Sequence, residues 1–162
     1  MVNPAKLEVS TPSEREIRMT RQFNAPRQMV FDAMTKPELM KRWFHGPDGW
    51  TLEVCEVDLR VGGGYRYVWH GPDGKPMGMS GTYKEVVVPE RIVNTEKFDQ
   101  FGEEAIGTLI LTEAHGTTSL SLTMKYSSRE TRDAMLRTPM EKGVAAGYDR
   151  LEKLLATIAA HA

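Results

Sequence analysis

The strongest constraint in this chain is a change of period: segments that alternate every second residue give way, at the C-terminus, to one long segment that repeats every third and fourth. In the last alternating segment, Leu120, Leu122, Met124 and Tyr126 interleave with Ser119, Ser121, Thr123 and Lys125, so a strand there buries one face and wets the other. A sheet of such strands needs an apolar cover on one side. The stripe Met140, Val144, Tyr148, Leu151, Leu155 and Ile158 supplies it, as a helix over about residues 139–160. The expectation is an α+β domain in which a curved antiparallel sheet grips a long C-terminal helix around an apolar pocket.

The rest of the chain supplies the sheet. Ile17, Met19 and Phe23 fall on alternate positions within a first strand, Glu14 to Phe23. Further strands read as Thr51 to Leu59, Tyr65 to His70, Gly78 to Val88, Ile92 to Phe98, Ile106 to Glu113 and Thr118 to Tyr126, divided by glycine and proline signals. Gly71-Pro72-Asp73-Gly74 is a hairpin turn, since proline presets φ and glycine accepts φ > 0. Gly62-Gly63-Gly64 lacks the Lys-Ser/Thr and the following helix of a phosphate loop, and reads as a bend in a curving sheet.

Two short helices are predicted after the first strand. Pro26 opens one that carries Met29, Val30, Ala33 and Met34 inward, and Thr35-Lys36-Pro37-Glu38 resembles a capping box before Leu39, Met40, Trp43 and Phe44. The same device recurs at Ser127-Ser128-Arg129-Glu130, starting a short helix, and at Thr138-Pro139-Met140-Glu141, starting the long one. Within that long helix Gly143 and Gly147 lie one turn apart, each costing about 1 kcal/mol relative to alanine. Two accounts stand side by side: close packing of helix on sheet, or missing side chains that leave room for a ligand.

The chain has 162 residues, enough for one core. Residues 1–13 read as a flexible leader and residues 14–162 as a single domain. A net charge of −1, with basic residues scattered, argues against nucleic acid. A single cysteine, Cys55, and the lack of a signal-like or membrane-length apolar run fit the reducing cytoplasm without membrane insertion. His45, His70, His115 and His161 show no ligand spacing, so no metal and no cofactor is expected.

Several stretches, taken in order, carry a resemblance. Phe23-Asn24-Ala25-Pro26, Trp43 with Gly46-Pro47, Asp58-Leu59-Arg60-Val61-Gly62-Gly63, Gly81-Thr82-Tyr83-Lys84-Glu85-Val86, Pro89-Glu90-Arg91 and Met140-Glu141-Lys142-Gly143 resemble the family named after the activator of the Hsp-90 ATPase. That family lies within the START-like, or SRPBCC, superfamily, and the resemblance spans about residues 14–158. It implies the helix-grip fold. Superfamily members include lipid carriers, polyketide cyclases, antibiotic-sequestering proteins and co-chaperones, so the fold leaves the chemistry open.

Tyr65, Tyr67 and Trp69 share one strand face, which in the resembled fold looks into the cup. Aromatics with polar tips suit an apolar pocket that must orient a ligand. The candidate ligand-binding set adds Trp43, Met79, Tyr83, Phe98 and Tyr126 from the sheet side and the loop after the short helices. From the helix come Met140, Gly143, Val144, Gly147 and Tyr148. The chain has ten methionines, which suit an irregular cavity or simply fill gaps in a core. His70 is the best acid or base by position, while Glu56, Asp58, Arg66 and Glu96 read as surface groups or ion pairs unless they turn inward. No catalytic residue is assigned.

The leading expectation is therefore binding of a small hydrophobic or aromatic molecule between sheet and helix. The alternatives are a metal-independent polyketide cyclase- or hydrolase-like enzyme and a chaperone-ATPase-activating interaction protein. An exposed sheet edge would be compatible with a homodimer.

Overall fold

The computed structural model describes residues 6–161; residues 1–5 of the expected leader and Ala162 lie outside the described residues. Eight strands form one antiparallel sheet in the order β1-β2-β8-β7-β6-β5-β4-β3. They are β1 (Glu8–Ser10), β2 (Glu16–Phe23), β3 (Thr51–Val57), β4 (Gly64–His70), β5 (Pro76–Val87), β6 (Arg91–Phe98), β7 (Ala105–Ala114) and β8 (Thr117–Lys125). The helices are α1 (Arg27–Thr35), α2 (Pro37–Met40), α3 (Arg129–Leu136) and α4 (Met140–Ala160). This is the helix-grip architecture that the family resemblance implies, with the strands and long C-terminal helix that the change of period predicts.

β1 arises inside the segment read as a leader: Glu8, Val9 and Ser10 pair with Thr20, Met19 and Arg18 of β2. Its pattern is too short to alternate legibly, and the partner strand, not local propensity, defines it.

Each strand points one set of side chains into the core. Ile17, Met19 and Phe23 of β2, Leu109 and Leu111 of β7, and Leu120 and Met124 of β8 are all buried, whereas Ile110 on the other face is exposed. Tight turns hold the register. Gly74 adopts φ +77° and donates to the Gly71 carbonyl, closing the β4–β5 hairpin, and Gly62 adopts φ +84° at the bend before β4.

The helices are begun in three ways. Ser128 caps α3, its hydroxyl accepting from the Thr131 amide at 3.1 Å. At α4 the Thr138 hydroxyl accepts from Met140 N at 3.3 Å. The predicted box at Thr35 does not form: Lys36 is the N-cap of α2, and Thr35 instead donates to the Phe31 carbonyl within α1. Pro37 at the first position starts α2 without a side-chain cap, because the amide it lacks is one the helix would leave unpaired. In α1, Val30 and Ala33 point inward as predicted, joined by Phe31, while Met29 and Met34 are only half-buried.

Helix α4 lies across the inner face. Tyr148 packs edge-on against Phe23 of β2 at 5.6 Å and tilted against Trp43 at 6.1 Å, and Arg150 Nε donates to the Trp43 carbonyl at 3.0 Å. Arg21 of β2 meets Asp149 at 3.5 Å. Leu151, Leu154 and Leu155 are buried, whereas Met140 and Val144 toward the N-terminal end are half-buried. One half of the helix thus seals a core and the other half leaves it partly open.

Candidate functional site

The site is built on β4, whose alternation turns Tyr65, Tyr67 and Trp69 inward, all less than a tenth exposed. Tyr65 and Tyr67 lie 4.9 Å apart between ring centroids, Tyr65 and Tyr83 5.5 Å, and Tyr67 and Trp69 5.9 Å. Phe44 joins them edge-on, 5.6 Å from Tyr67 and 5.3 Å from Trp69, and leads to Trp43 at 5.1 Å. An aromatic wall runs from β5 to α4. Phe44, which the sequence reading placed in a short helix, is the bridge of that wall; its signal was the adjacent Trp-Phe pair.

Most polar tips on this wall are already committed. Trp43 Nε1 donates to the Ala33 carbonyl at 2.8 Å and Trp69 Nε1 to that of Phe44 at 2.7 Å. The Tyr65 hydroxyl donates to the Thr95 carbonyl at 2.6 Å and accepts from Asn94 Nδ2 at 3.1 Å. Tyr67 and Tyr83 hydrogen-bond to each other through their side chains. Burial drives all three tyrosines well above the ordinary phenol range, Tyr83 to about 12, so they remain neutral.

A transverse row explains what is left. Val57 pairs with Tyr65, Tyr65 with Gly81, and Glu96 with Ala105. On either side of the gap, Ser80 pairs with Lys97 and Tyr83 with Asn94, which sets Glu96 opposite Gly81. Ile106 pairs with Lys125, so the next position across from Ala105 is Tyr126. The row therefore reads Tyr65, Gly81, Glu96, Ala105, Tyr126, with a carboxyl flanked by the two smallest residue types.

At Gly81 the β5–β6 ladder opens. The Thr82 amide donates to the Thr95 hydroxyl at 2.9 Å instead of to its carbonyl, which takes the Tyr65 and Asn94 donors. A Cβ at Gly81 would collide with the Thr95 carbonyl and approach the Tyr65 ring and hydroxyl to 2.6 Å. Glycine is what lets Tyr65 lie down beside Glu96.

Glu96 is half-buried and makes no hydrogen bond or ion pair to any described residue. Desolvation pushes its carboxyl up to about 7, with no charged neighbour contributing. Its own charge is felt by Tyr65 and Tyr126, both raised mainly by burial. Tyr126 is itself buried and engages no described partner through its hydroxyl. Of the four charged strand residues named from the sequence, Glu96 alone faces the cup: Arg66 pairs with Asp99 at 2.7 Å on the outer side, and Glu56 and Asp58 are exposed.

The remaining candidates divide plainly. Trp43, Met79, Tyr126 and Tyr148 are buried in the common core, and Phe98, Met140 and Val144 are half-buried against it. Gly147 is buried, and a Cβ there would make ordinary contact with Trp43 at 4.0 Å. Gly143 is exposed, and a Cβ there would meet nothing, so close helix-to-sheet packing does not explain it. His70 points away from the cup, its Nδ1 4.0 Å from Glu53 at the sheet's far edge.

Two open depressions lie elsewhere. One of about 280 Å³ sits on the outer face between Thr20, Gln22, Ile110 and Ser121, and one of about 440 Å³ at the β3–β4 edge beside Glu56 and Arg66. Among the described residues no group of three or more His, Cys, Asp or Glu converges as a metal site. No described helix is long and apolar enough to cross a membrane.

A family model described as activator of Hsp90 ATPase homolog 1-like protein matches residues 24–156. A crystal structure from Rhodobacter sphaeroides is 29% identical with a TM-score of 0.90, covering 94% of this chain and 99% of that one. A solution structure from Staphylococcus epidermidis is 26% identical with a TM-score of 0.80, covering 92% and 93% respectively. A crystal structure from Nitrosomonas europaea is 25% identical with a TM-score of 0.80, covering 93% and 99%. No curated protein matches the chain.

Proposed function

We propose, from the premise that this chain belongs to the activator of Hsp90 ATPase homolog 1-like family, that its helix-gripped face binds a small, mostly apolar or aromatic molecule. The observation that carries the reading is the contrast along α4. Its leucine half is sealed in the core, while Met140 and Val144 in the N-terminal half stay half-buried against it. Apolar surface that a protein leaves partly wet along an aromatic wall is surface a ligand can cover. The internal pairing of the Trp43, Trp69 and Tyr65 polar tips makes that wall apolar in character, so shape and stacking dominate recognition.

A thermal-shift screen with fused-ring aromatic and lipid-like compounds tests this. A compound at about 100 times its Kd stabilises by about 2.7 kcal/mol, roughly 5–10 °C in Tm for a domain of this size. Stabilisers drawn from the aromatic or lipid-like classes are expected. A screen in which only polar compounds stabilise the protein would contradict the reading.

A further inference from the structure

Beyond Gly81, on which Tyr65 lies, stands one carboxyl that no described residue neutralises. Glu96 stands on the inner face between Gly81 and Ala105, with Tyr65 lying across Gly81 on one side and Tyr126 beyond Ala105 on the other. Its two neighbours in the row bring no polar side chain to it, and it is half-buried. A structural carboxylate on a buried face normally meets an Arg, a Lys or several amide donors. Glu96 meets none of these among the described residues, while Asp99, just past the end of β6, accepts from both terminal guanidinium nitrogens of Arg66 at 2.9 and 2.7 Å. Glu85 on the neighbouring strand likewise pairs with Arg91 at 2.7 Å, whereas Glu96, on the inner face, is unmatched among the described residues.

We infer that Glu96 is the polar anchor of the cup and that it selects ligands carrying a basic amine on an aromatic or apolar body. The inference rests on the ligand-binding reading above and names its specificity. A protonated amine placed beside Glu96 forms a charge-assisted hydrogen bond, stronger than a neutral one. Aromatic rings favour a cation as well, and Tyr65 and Tyr126 are near enough to feel the Glu96 charge. An anionic ligand would meet an unpaired like charge instead, which acts as negative selection. The raised carboxyl pKa has the same origin, a desolvated acid with no counter-charge.

Calorimetric titration of the full chain at about pH 8 with three matched probes, 1-naphthylmethylamine, 1-naphthylmethanol and 1-naphthylacetate, tests it. The amine should bind about tenfold tighter than the alcohol and the carboxylate weakest. In Glu96→Gln the ratio of amine to alcohol affinity should shrink to about threefold or less. A second arm needs no variant: in the wild type the preference should fade at about pH 5.5, where the carboxyl is protonated. Tyr65 and Tyr126 stay neutral throughout and Gly81 and Ala105 do not titrate, while the exposed Glu104, whose charge also reaches Tyr65, is intact in Glu96→Gln, so the variant arm separates the two carboxyls. Equal affinity of amine and alcohol, or a preference unchanged in both arms, overturns the anchor while leaving the pocket standing. Binding of none of the three probes overturns the pocket and the anchor together.

Discussion

Glu96 carries its charge at a cost that can be measured without any ligand. Its folded pKa of about 7 lies above the ordinary value of 4.5, so the native state holds the proton more tightly than the unfolded chain. Stability from this group is therefore fully present below about pH 4.5 and is lost as pH rises through 7, by at most about 3 kcal/mol and less for a half-exposed group. Urea denaturation should find Glu96→Gln gaining on the wild type between pH 5 and 8; a difference that does not change with pH would contradict the assignment. Gly81→Ala belongs to the same spot and should destabilise by about 2–4 kcal/mol, because its Cβ has the Thr95 carbonyl and the Tyr65 hydroxyl in its way. An unchanged urea midpoint for that variant would mean Tyr65 does not lie over Gly81. From the sequence Glu96 is only one of four strand charges that could turn inward, and nothing marks Gly81 as part of a site. Alternation places Glu96 on one of two faces, and only pairing across β5, β6 and β7 shows that its neighbours are small and its charge unmatched.

Among the elements, α4 was the easiest to read and its glycines the hardest. The apolar stripe from Met140 to Ile158 located the helix within a residue of its observed start, because 3.6-residue periodicity over several turns has few competing explanations. The pair Gly143 and Gly147 supported two accounts, since a missing side chain looks the same in sequence whether it admits a neighbour or open space. With room around Gly143, Gly143→Ala should raise stability by about 1 kcal/mol, read as a higher urea midpoint; a loss would show that something fills that space. The caps divide along physical lines too. The box read at residues 127–130 is displaced by one residue: Ser128 is the cap, its hydroxyl accepting from the Thr131 amide while Ser127 donates to Glu103, and Ser128→Ala should cost about 1 kcal/mol in thermal denaturation. Thr35 matched the same pattern but lies inside α1, where its hydroxyl serves the preceding turn.

For the whole molecule, the sheet and its cover followed from sequence because strands that bury one face and a helix with one apolar stripe have few ways to combine. The direction in which aromatic tips spend their hydrogen bonds did not follow, since Trp43, Trp69 and Tyr65 bond to carbonyls of residues distant or irregular in the chain. That information describes the inner face as an apolar wall with one carboxyl that no described residue pairs. The most direct measurement is an amide-resolved NMR titration of the full chain with 1-naphthylmethylamine. Shifts concentrated at Tyr65, Glu96, Tyr126, Met140 and Val144 are the predicted result. Shifts confined to the outer-face depression around Thr20, Ile110 and Ser121, or the absence of any saturable shift, would contradict a ligand site between sheet and helix.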